Sequence, residues 1–244
     1  MARKKKKRKI KFKRVFLTLV VILLFGYAGY YVFTMPINNI YVKNNTYISD
    51  EEILSYANID NSSSFILLDS KKIINDIKKN KFIDDVKVNR YFGNKVVIDI
   101  TEYGIICLLP DNKVLISNGS ILDNVYNITD KPLLSSKIEN EEIIKIFSKK
   151  FQKIDKNILR QISEITYEPV NVDKERFLLY MDDGNSVYIT LTRIDKLNKY
   201  NEIVEKMNGK EGIIYLDSGN YIKLNGEEEE SSEPDINLEE STSE

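Results

Sequence analysis

The feature that most constrains this chain is a run of 21 residues, 15–35, that carries no charge. At about 1.5 Å per residue, a helix of this length spans about 31 Å, close to the hydrocarbon thickness of a bilayer. Pro36 follows directly and cannot continue a helix. Tyr27, Tyr30 and Tyr31 gather at the far end of the run, where amphipathic rings favour the membrane interface. The sequence therefore predicts a transmembrane helix over residues 15–35.

The charges beside this run predict its orientation. Residues 1–14 contain ten Lys and Arg and no acidic residue, and an excess of positive charge keeps that side of a span in the cytoplasm. We therefore interpret 1–14 as a basic cytoplasmic tail of a single-pass type II protein, with everything after residue 35 outside. A cleaved signal peptide would have a shorter apolar region. A nucleic-acid-binding arm is a further alternative, but topology alone explains the basic residues, and we expect no nucleic acid partner.

Missing residue types exclude several kinds of site. The chain has no His, a single Cys (Cys107) and no Trp. A Ser-His-Asp triad and a His-ligated metal are therefore impossible within it, as are an intrachain disulfide and a multi-Cys zinc site. Cys107 lies in the apolar run 105–109 and reads as a small core residue rather than a reactive thiol. We expect no cofactor and no metal.

The sequence pattern of residues 36–102 predicts a small domain whose secondary-structure elements follow the order β-α-α-β-β. Ser49 and Glu52 form a capping box before a first helix, and Asp69 is placed to cap a second helix over residues 70–80. The pair Gly93-Asn94 is typical of the turn in a hairpin, here between two alternating apolar strands.

Motifs in this stretch resemble a POTRA domain, and in particular that of the bacterial division family FtsQ/DivIB. They read "V-x-x-N-x-x-I-S-x-E-E-I", "S-F-x-x-L-D", "F-I-x-x-V-x-V-x-R-x-F" and "V-V-I-x-I-x-E". Gly93 departs from the family, which usually has Pro at this position, although a turn accepts either residue. The matching residues are Val42, Asn45, Ile48, Ser49, Glu52, Ile53, Phe65, Leu68, Asp69, Val86, Val88, Arg90, Phe92, Val97, Ile98, Ile100 and Glu102.

Residues 103–225 predict a mixed β domain with two helices, over 141–154 and 194–207. The segment 182–185, Asp-Asp-Gly-Asn, is a strong hairpin signal between two strands, and Asn208-Gly209 is a suitable helix end. Two last strands, 213–217 and 221–224, follow. The ending "K-L-x-x-Y-x-x-I" then "I-I-Y-L-D-x-G-N-Y-I-K-L" is similar to the close of the FtsQ/DivIB β domain. The predicted fold class is α+β.

The resemblance also implies a binding site. In FtsQ/DivIB proteins the last strands of the β domain dock a partner subunit, and a terminal strand is a natural sheet edge that can pair with another chain. The implied partners are bitopic division proteins resembling FtsL and DivIC (FtsB in the other branch), and through them the septal wall synthase. The candidate partner-binding residues are Tyr215, Leu216, Tyr221, Ile222, Lys223 and Leu224.

Residues 226–244 form an acidic tail with nine Asp and Glu and no basic residue. Such a segment cannot bury enough apolar surface to offset its ordering entropy, so the sequence predicts disorder. The simplest role is to solubilise the chain. Competition or steering at the neighbouring strand remains an alternative.

Catalysis is the main rival class of function. A wall hydrolase needs two carboxylates across a glycosidic bond, yet each acidic cluster here has a structural explanation: a hairpin turn at 182–183, first helical turns at 51–52 and 141–142, and the tail at 227–230. We therefore predict a non-catalytic, membrane-anchored binding module, and the resemblance to FtsQ/DivIB implies that it is a division scaffold in the cell membrane at the septum. A membrane-anchored sensor or wall-binding module is the alternative.

Overall fold

The structure is a computed structural model that describes residues 12–226. It divides into two compact units, Met1–Glu102 and Tyr103–Glu244. The predicted basic tail 1–14 and the predicted disordered tail 226–244 lie largely outside the described residues. The α+β fold class is confirmed.

The apolar run forms one helix, α1 (Phe12–Phe33), in which no residue is buried. Its length and apolar composition make it able to cross a membrane. The helix begins three residues earlier and ends two residues earlier than predicted. Its early end has a steric cause, because a proline disfavours helical backbone in the residue before it, and Pro36 here pairs with Ser64 in an isolated β-bridge.

The first domain has the predicted β-α-α-β-β order. Its sheet has the order β1-β3-β2, with β1 parallel and β2 antiparallel to the central strand. The elements are β1 (Asn39–Lys43), α2 (Asp50–Ala57), α3 (Ser70–Ile77), β2 (Ile83–Tyr91) and β3 (Lys95–Glu102).

Both short helices start at the predicted caps. The Ser49 side chain accepts a hydrogen bond from the Glu52 amide, and the Asp69 carboxylate accepts from the amides of Lys71 and Lys72. Each such cap is worth about 1 kcal/mol. The second helix ends at Ile77, three residues before the predicted end at Asn80.

Two charged residues of the POTRA motifs fasten loops of this domain. The Glu102 carboxylate accepts hydrogen bonds from the backbone amides of Thr46 at 2.9 Å and of Tyr47 at 3.0 Å. The Arg90 guanidinium donates to the carbonyl oxygens of Phe65, at 3.3 Å, and of Leu68. These residues therefore stabilise the fold, as expected for most positions in the motifs.

The second domain is built on one nine-stranded sheet. Its order is β12-β11-β10-β9-β8-β7-β4-β5-β6. The strands are β4 (Ile105–Leu109), β5 (Lys113–Ile116), β6 (Ile121–Asp123), β7 (Leu133–Leu134), β8 (Ile162–Tyr167), β9 (Arg176–Met181), β10 (Ser186–Thr190), β11 (Gly212–Tyr215) and β12 (Tyr221–Leu224).

This domain has more helical segments than the two predicted. The first predicted helix is α4 (Glu141–Phe151), and a further short helix, α5 (Lys156–Leu159), follows it. The second predicted helix is divided into a 3₁₀ segment (Leu191–Lys199) and α6 (Tyr200–Lys206). The 3₁₀ segment is kinked at Arg193, where the backbone is not helical, and its three buried residues, Leu191, Ile194 and Leu197, recur every third position.

The helical segments pack with one face of the large sheet to form a single core. Phe147 and Phe151 from α4 lie with ring centroids 4.1 Å apart, and Phe147 stacks on Phe177 of β9 at 4.9 Å. Each fully buried side chain of this size contributes about 1.5–3 kcal/mol. Cys107 lies in the same core and is fully buried, as predicted.

Candidate functional site

The last strand, β12, lies at one edge of the nine-stranded sheet. It pairs antiparallel with β11 through four register pairs, from Tyr215↔Tyr221 to Gly212↔Leu224. Among residues 12–226 no strand lies on its other side. The sequence-based expectation that the last predicted strand lies at a sheet edge is therefore met.

Hydrogen bonding beside β12 shows which main-chain groups point away from the sheet. The Asn225 amide donates to the Glu211 carbonyl at 2.9 Å, whereas the Gly212 amide, opposite Leu224, donates to the Asn185 side chain. Bonded and non-bonded pairs alternate in an antiparallel ladder. The alternation therefore directs the amide and carbonyl groups of Ile222 and Leu224 toward the outer edge.

Side chains of β12 alternate between the two faces of the sheet. Ile222 and Leu224 pack against the core, whereas Tyr221 and Lys223 are exposed on the other face. On the neighbouring segment Tyr215 is half-buried and lies opposite Tyr221. These five candidate residues are thus brought together at one edge.

Leu216 is the exception among the candidate residues. Its side chain is fully buried in the core cluster. The apolar alternation of strand 213–217 explains this placement, because every second residue faces the helices. Leu216 therefore positions the strand and is not available to a partner's side chains.

A stack of tyrosine rings crosses the exposed face next to the edge. We call Tyr188, Tyr215 and Tyr221 the tyrosine ladder. The centroids of Tyr188 and Tyr215 are 5.2 Å apart, those of Tyr215 and Tyr221 are 4.4 Å apart, and both pairs are stacked. Such pairs add about 0.5–1.5 kcal/mol each beyond the area that they bury. The ladder therefore orients Tyr221 at the outermost strand.

Arg176 of β9 stands at the inner end of the tyrosine ladder. Its guanidinium carbon lies 3.8 Å from the Tyr188 ring centroid, and its Nε donates to Asp217 Oδ2 at 2.7 Å. Desolvation opposes the charge, but the Asp217 carboxylate outweighs it and raises the pKa of Arg176. Asp217 also accepts from the Ser218 amide at 2.8 Å. This ion pair therefore fastens the turn that leads into β12.

Sequence reasoning missed the ladder and the Arg176–Asp217 pair. One tyrosine in each of three strands was a visible signal, but the strand order β12-β11-β10-β9 was needed to bring these residues together.

The turn of the β9–β10 hairpin occupies residues 182–185, as predicted. The Asp183 carboxylate in this turn has a structural role. Both Asp183 oxygens accept from the Tyr200 hydroxyl, at 2.7 and 2.8 Å. Burial, together with this bond, raises the pKa of Tyr200. Asp183 therefore ties the hairpin to α6 and is explained without catalysis.

Two further kinds of reactive site can be checked in the described part of the chain, a nucleophilic thiol and a metal-ligand cluster. Burial raises the pKa of the Cys107 thiol, which makes it a poor nucleophile. Within residues 12–226 no cluster of three or more potential metal ligands is found.

Comparison with known sequences connects both domains to one family. The profile described as "POTRA domain, FtsQ-type" matches residues 35–103, and "Cell division protein FtsQ/DivIB, C-terminal" matches residues 109–218. The cell division protein DivIB of Bacillus anthracis is 30% identical over 239 residues, covering 94% of this chain and 89% of that protein. The chain belongs to the FtsQ/DivIB family of cell division proteins.

DivIB of a second Bacillus species agrees with the FtsQ/DivIB assignment. DivIB of Bacillus subtilis is 27% identical and covers 94% of this chain and 88% of that protein. A solved extracytoplasmic domain of DivIB from Geobacillus stearothermophilus is 25% identical, covering 44% of this chain and 96% of that chain with a TM-score of 0.37.

The two FtsQ/DivIB profiles together cover most of both domains. The C-terminal match ends at residue 218, so β12 lies just beyond it. The outer strand is therefore identified by the geometry of this chain rather than by the profile.

Proposed function

We propose that this FtsQ/DivIB-family protein is a non-catalytic scaffold of the division machinery. In this proposal α1 spans the cytoplasmic membrane with the N-terminus inside and both domains outside. Ten basic and no acidic residues in 1–14 support that orientation. Family membership supports a place at the division septum.

The scaffold binds its partner by strand addition at β12. The observation that carries this proposal is the edge position of β12, with the main-chain groups of Ile222 and Leu224 directed outward. An extended partner segment would satisfy these groups and gain affinity from main-chain hydrogen bonds. Tyr221 and Lys223 are exposed at the same strand and would select among partners.

The partners proposed are bitopic division proteins resembling FtsL and DivIC, or FtsB in the other branch. Their binding would place this protein in a complex that supports the septal wall synthase. Family resemblance supports these names, and the geometry of β12 supports an extended segment as the bound part.

A proline at position 222 tests strand addition directly. Proline removes an outward amide without breaking a bond to β11, so an edge strand tolerates it there. Ile222→Ala is the matched control, because it loses the same side-chain contacts but keeps the amide. Full-length tagged protein would be purified from detergent-solubilised membranes in three forms: wild type, Ile222→Ala and Ile222→Pro.

We expect the FtsL-like and DivIC-like proteins to co-purify with wild type and Ile222→Ala but not with Ile222→Pro. The circular dichroism spectra of the three proteins should coincide, which would show that all three are folded alike. Equal recovery of these division proteins by both variants would show that the partner docks somewhere other than β12. Recovery of no division protein by any of the three would favour the sensor or wall-binding alternative.

A further inference from the structure

The loop between α2 and α3 is attached to the chain that leaves the membrane helix. The Ser64 hydroxyl donates to the Phe33 carbonyl at 2.6 Å, and the Phe65 amide donates to the Met35 carbonyl at 2.9 Å. Pro36 also forms an antiparallel bridge with Ser64. This loop therefore lies at the C-terminal end of α1.

The β2–β3 hairpin tip is attached to the same segment. The Asn94 side chain donates to the Pro36 carbonyl at 3.0 Å, and the Asn38 side chain donates to the Gly93 carbonyl at 3.0 Å. The parallel pairing of β1 with β3 starts at Asn39↔Lys95. The hairpin tip therefore lies at the same end of the first domain as the exit from α1.

These two loops expose large apolar side chains. Leu67 is 66% exposed and Phe92 is fully exposed, while Ile66 and Tyr91 beside them are 39% and 53% exposed. We call these four residues the apolar patch. Both pairs lie at the end of the first domain where α1 exits, and large exposed apolar side chains gathered at one end of a folded domain are typical of a contact surface.

The short connection between α1 and Pro36 limits how far the apolar patch can lie from the membrane helix. Only residues 34 and 35 separate the end of α1 from the bridge at Pro36, and two residues extend over about 7 Å at most. The last turn of α1 presents Tyr30 and Tyr31, side chains suited to the membrane interface. The loops that carry the apolar patch therefore lie next to the C-terminal end of α1.

Charges of both signs lie on the segments that carry the apolar patch. Lys95 is exposed at the first position of β3, where it would face anionic headgroups. The acidic group of the loop, Asp60, accepts hydrogen bonds from the hydroxyls of Ser62 and Ser63. Those hydroxyls lower the pKa of Asp60, so the loop keeps one negative charge beside the patch.

We propose that the apolar patch inserts into the interfacial layer of the bilayer that α1 spans. Side chains such as Leu and Phe at this depth bury apolar surface among headgroups and upper acyl chains. Insertion would fix the first domain against the membrane and so limit the directions in which it can turn about residues 34–35. The inference rests on the membrane anchoring proposed above, but not on strand addition at β12.

Site-specific fluorescence in vesicles tests the insertion. Full-length protein would be reconstituted into phosphatidylethanolamine–phosphatidylglycerol vesicles with an environment-sensitive label at Leu67→Cys or Phe92→Cys. Wild type serves as the labelling blank, because Cys107 is fully buried. Lys43→Cys is the matched control: it is exposed at the opposite end of β1, about 13 Å along the strand from its first residue.

We expect labels at 67 and 92 to be quenched several-fold more by a lipid-borne quencher than the label at 43, and several-fold less by iodide. Replacing Leu67 and Tyr91 by Ser in the Phe92→Cys protein should restore iodide quenching toward the level at 43. Equal behaviour of all three labels would overturn the proposal. Protection from both quenchers would also overturn it, since a second protein copy would then cover the patch.

Discussion

The two exposed regions of this protein differ in what they leave unsatisfied. At the end of the first domain, the apolar patch exposes side chains, while nearby main-chain carbonyls already accept hydrogen bonds: Met35 from the Phe65 amide and Pro36 from the Asn94 side chain. At the end of the second domain, β12 packs Ile222 and Leu224 against the core and leaves main-chain groups directed outward. Within residues 12–226, one region therefore leaves apolar side chains exposed and the other leaves outward main-chain groups at a sheet edge.

This difference indicates two kinds of partner. Lipid offers apolar contact and no ordered hydrogen bonds, so it matches a patch whose main chain is already satisfied. A peptide strand offers ordered donors and acceptors, so it matches a sheet edge. Membrane anchoring would then rely on apolar side-chain contacts and partner assembly on main-chain hydrogen bonds, within a single chain.

The largest expected effect comes from removing the cation that supports the edge. Arg176→Met would leave the Asp217 carboxylate, whose side chain is 7% exposed, without its 2.7 Å partner. Loss of one member of a largely buried pair costs about 3 kcal/mol. We expect chemical denaturation monitored by circular dichroism to show this loss of stability.

Arg193→Met is the control for this ion pair. Arg193 also reaches Asp217, but through an exposed bond of 3.2 Å to the carbonyl oxygen. We expect a loss below about 1 kcal/mol, because exposed bonds of this kind contribute little. Equal losses in both variants would mean that the ion pair does not specifically support the edge.

A smaller effect is expected where β11 and β12 approach most closely. A Cβ at Gly212 would overlap the Lys223 carbonyl oxygen and lie 3.0 Å from the Leu224 Cα. Because backbone cannot turn aside, Gly212→Ala should displace β12 and cost about 2 kcal/mol.

Gly104→Ala provides the comparison for this substitution. Its nearest neighbour would be the Ser117 Cβ, at 3.8 Å, which is ordinary contact. We expect thermal unfolding of Gly104→Ala to match wild type and partner recovery to fall only in Gly212→Ala. If Gly212→Ala bound partners normally, the position of β12 would not matter for binding.

Local signals in the sequence predicted most of the first domain. The caps at Ser49 and Asp69 and the turn at Gly93-Asn94 each act within a few residues, and all three appear where expected. Hairpin chemistry likewise placed β9 and β10 on either side of residues 182–185.

Features that depend on distant contacts were not predictable. The two-residue strand β7 is held between β4 and β8, which are far from each other in sequence. The Arg176–Asp217 pair joins residues 41 positions apart. At the site, the sequence placed the last strand at a sheet edge, and alternation alone could have placed Leu216 on the buried face. The order of the strands beside β12 depended on distant contacts.

The smallest expected effect concerns the apolar patch. Leu67 and Phe92 are 66% and 103% exposed, so a Leu67→Glu/Phe92→Glu variant loses little packing. We expect its free energy of unfolding in detergent solution to stay within about 0.5 kcal/mol of wild type. The same variant should lose the lipid contact of the first domain in vesicles.

Val96→Glu is the contrasting substitution, since Val96 is fully buried on β3 beside the exposed Lys95. A carboxylate there would have to be desolvated, and the first domain should unfold. Near-wild-type stability of the double variant beside an unfolded Val96→Glu would show that the patch serves contacts outside the domain. If the double variant lost more than about 1 kcal/mol in detergent, Leu67 and Phe92 would pack within the domain. The contrast between a side-chain surface and a main-chain edge would then fail.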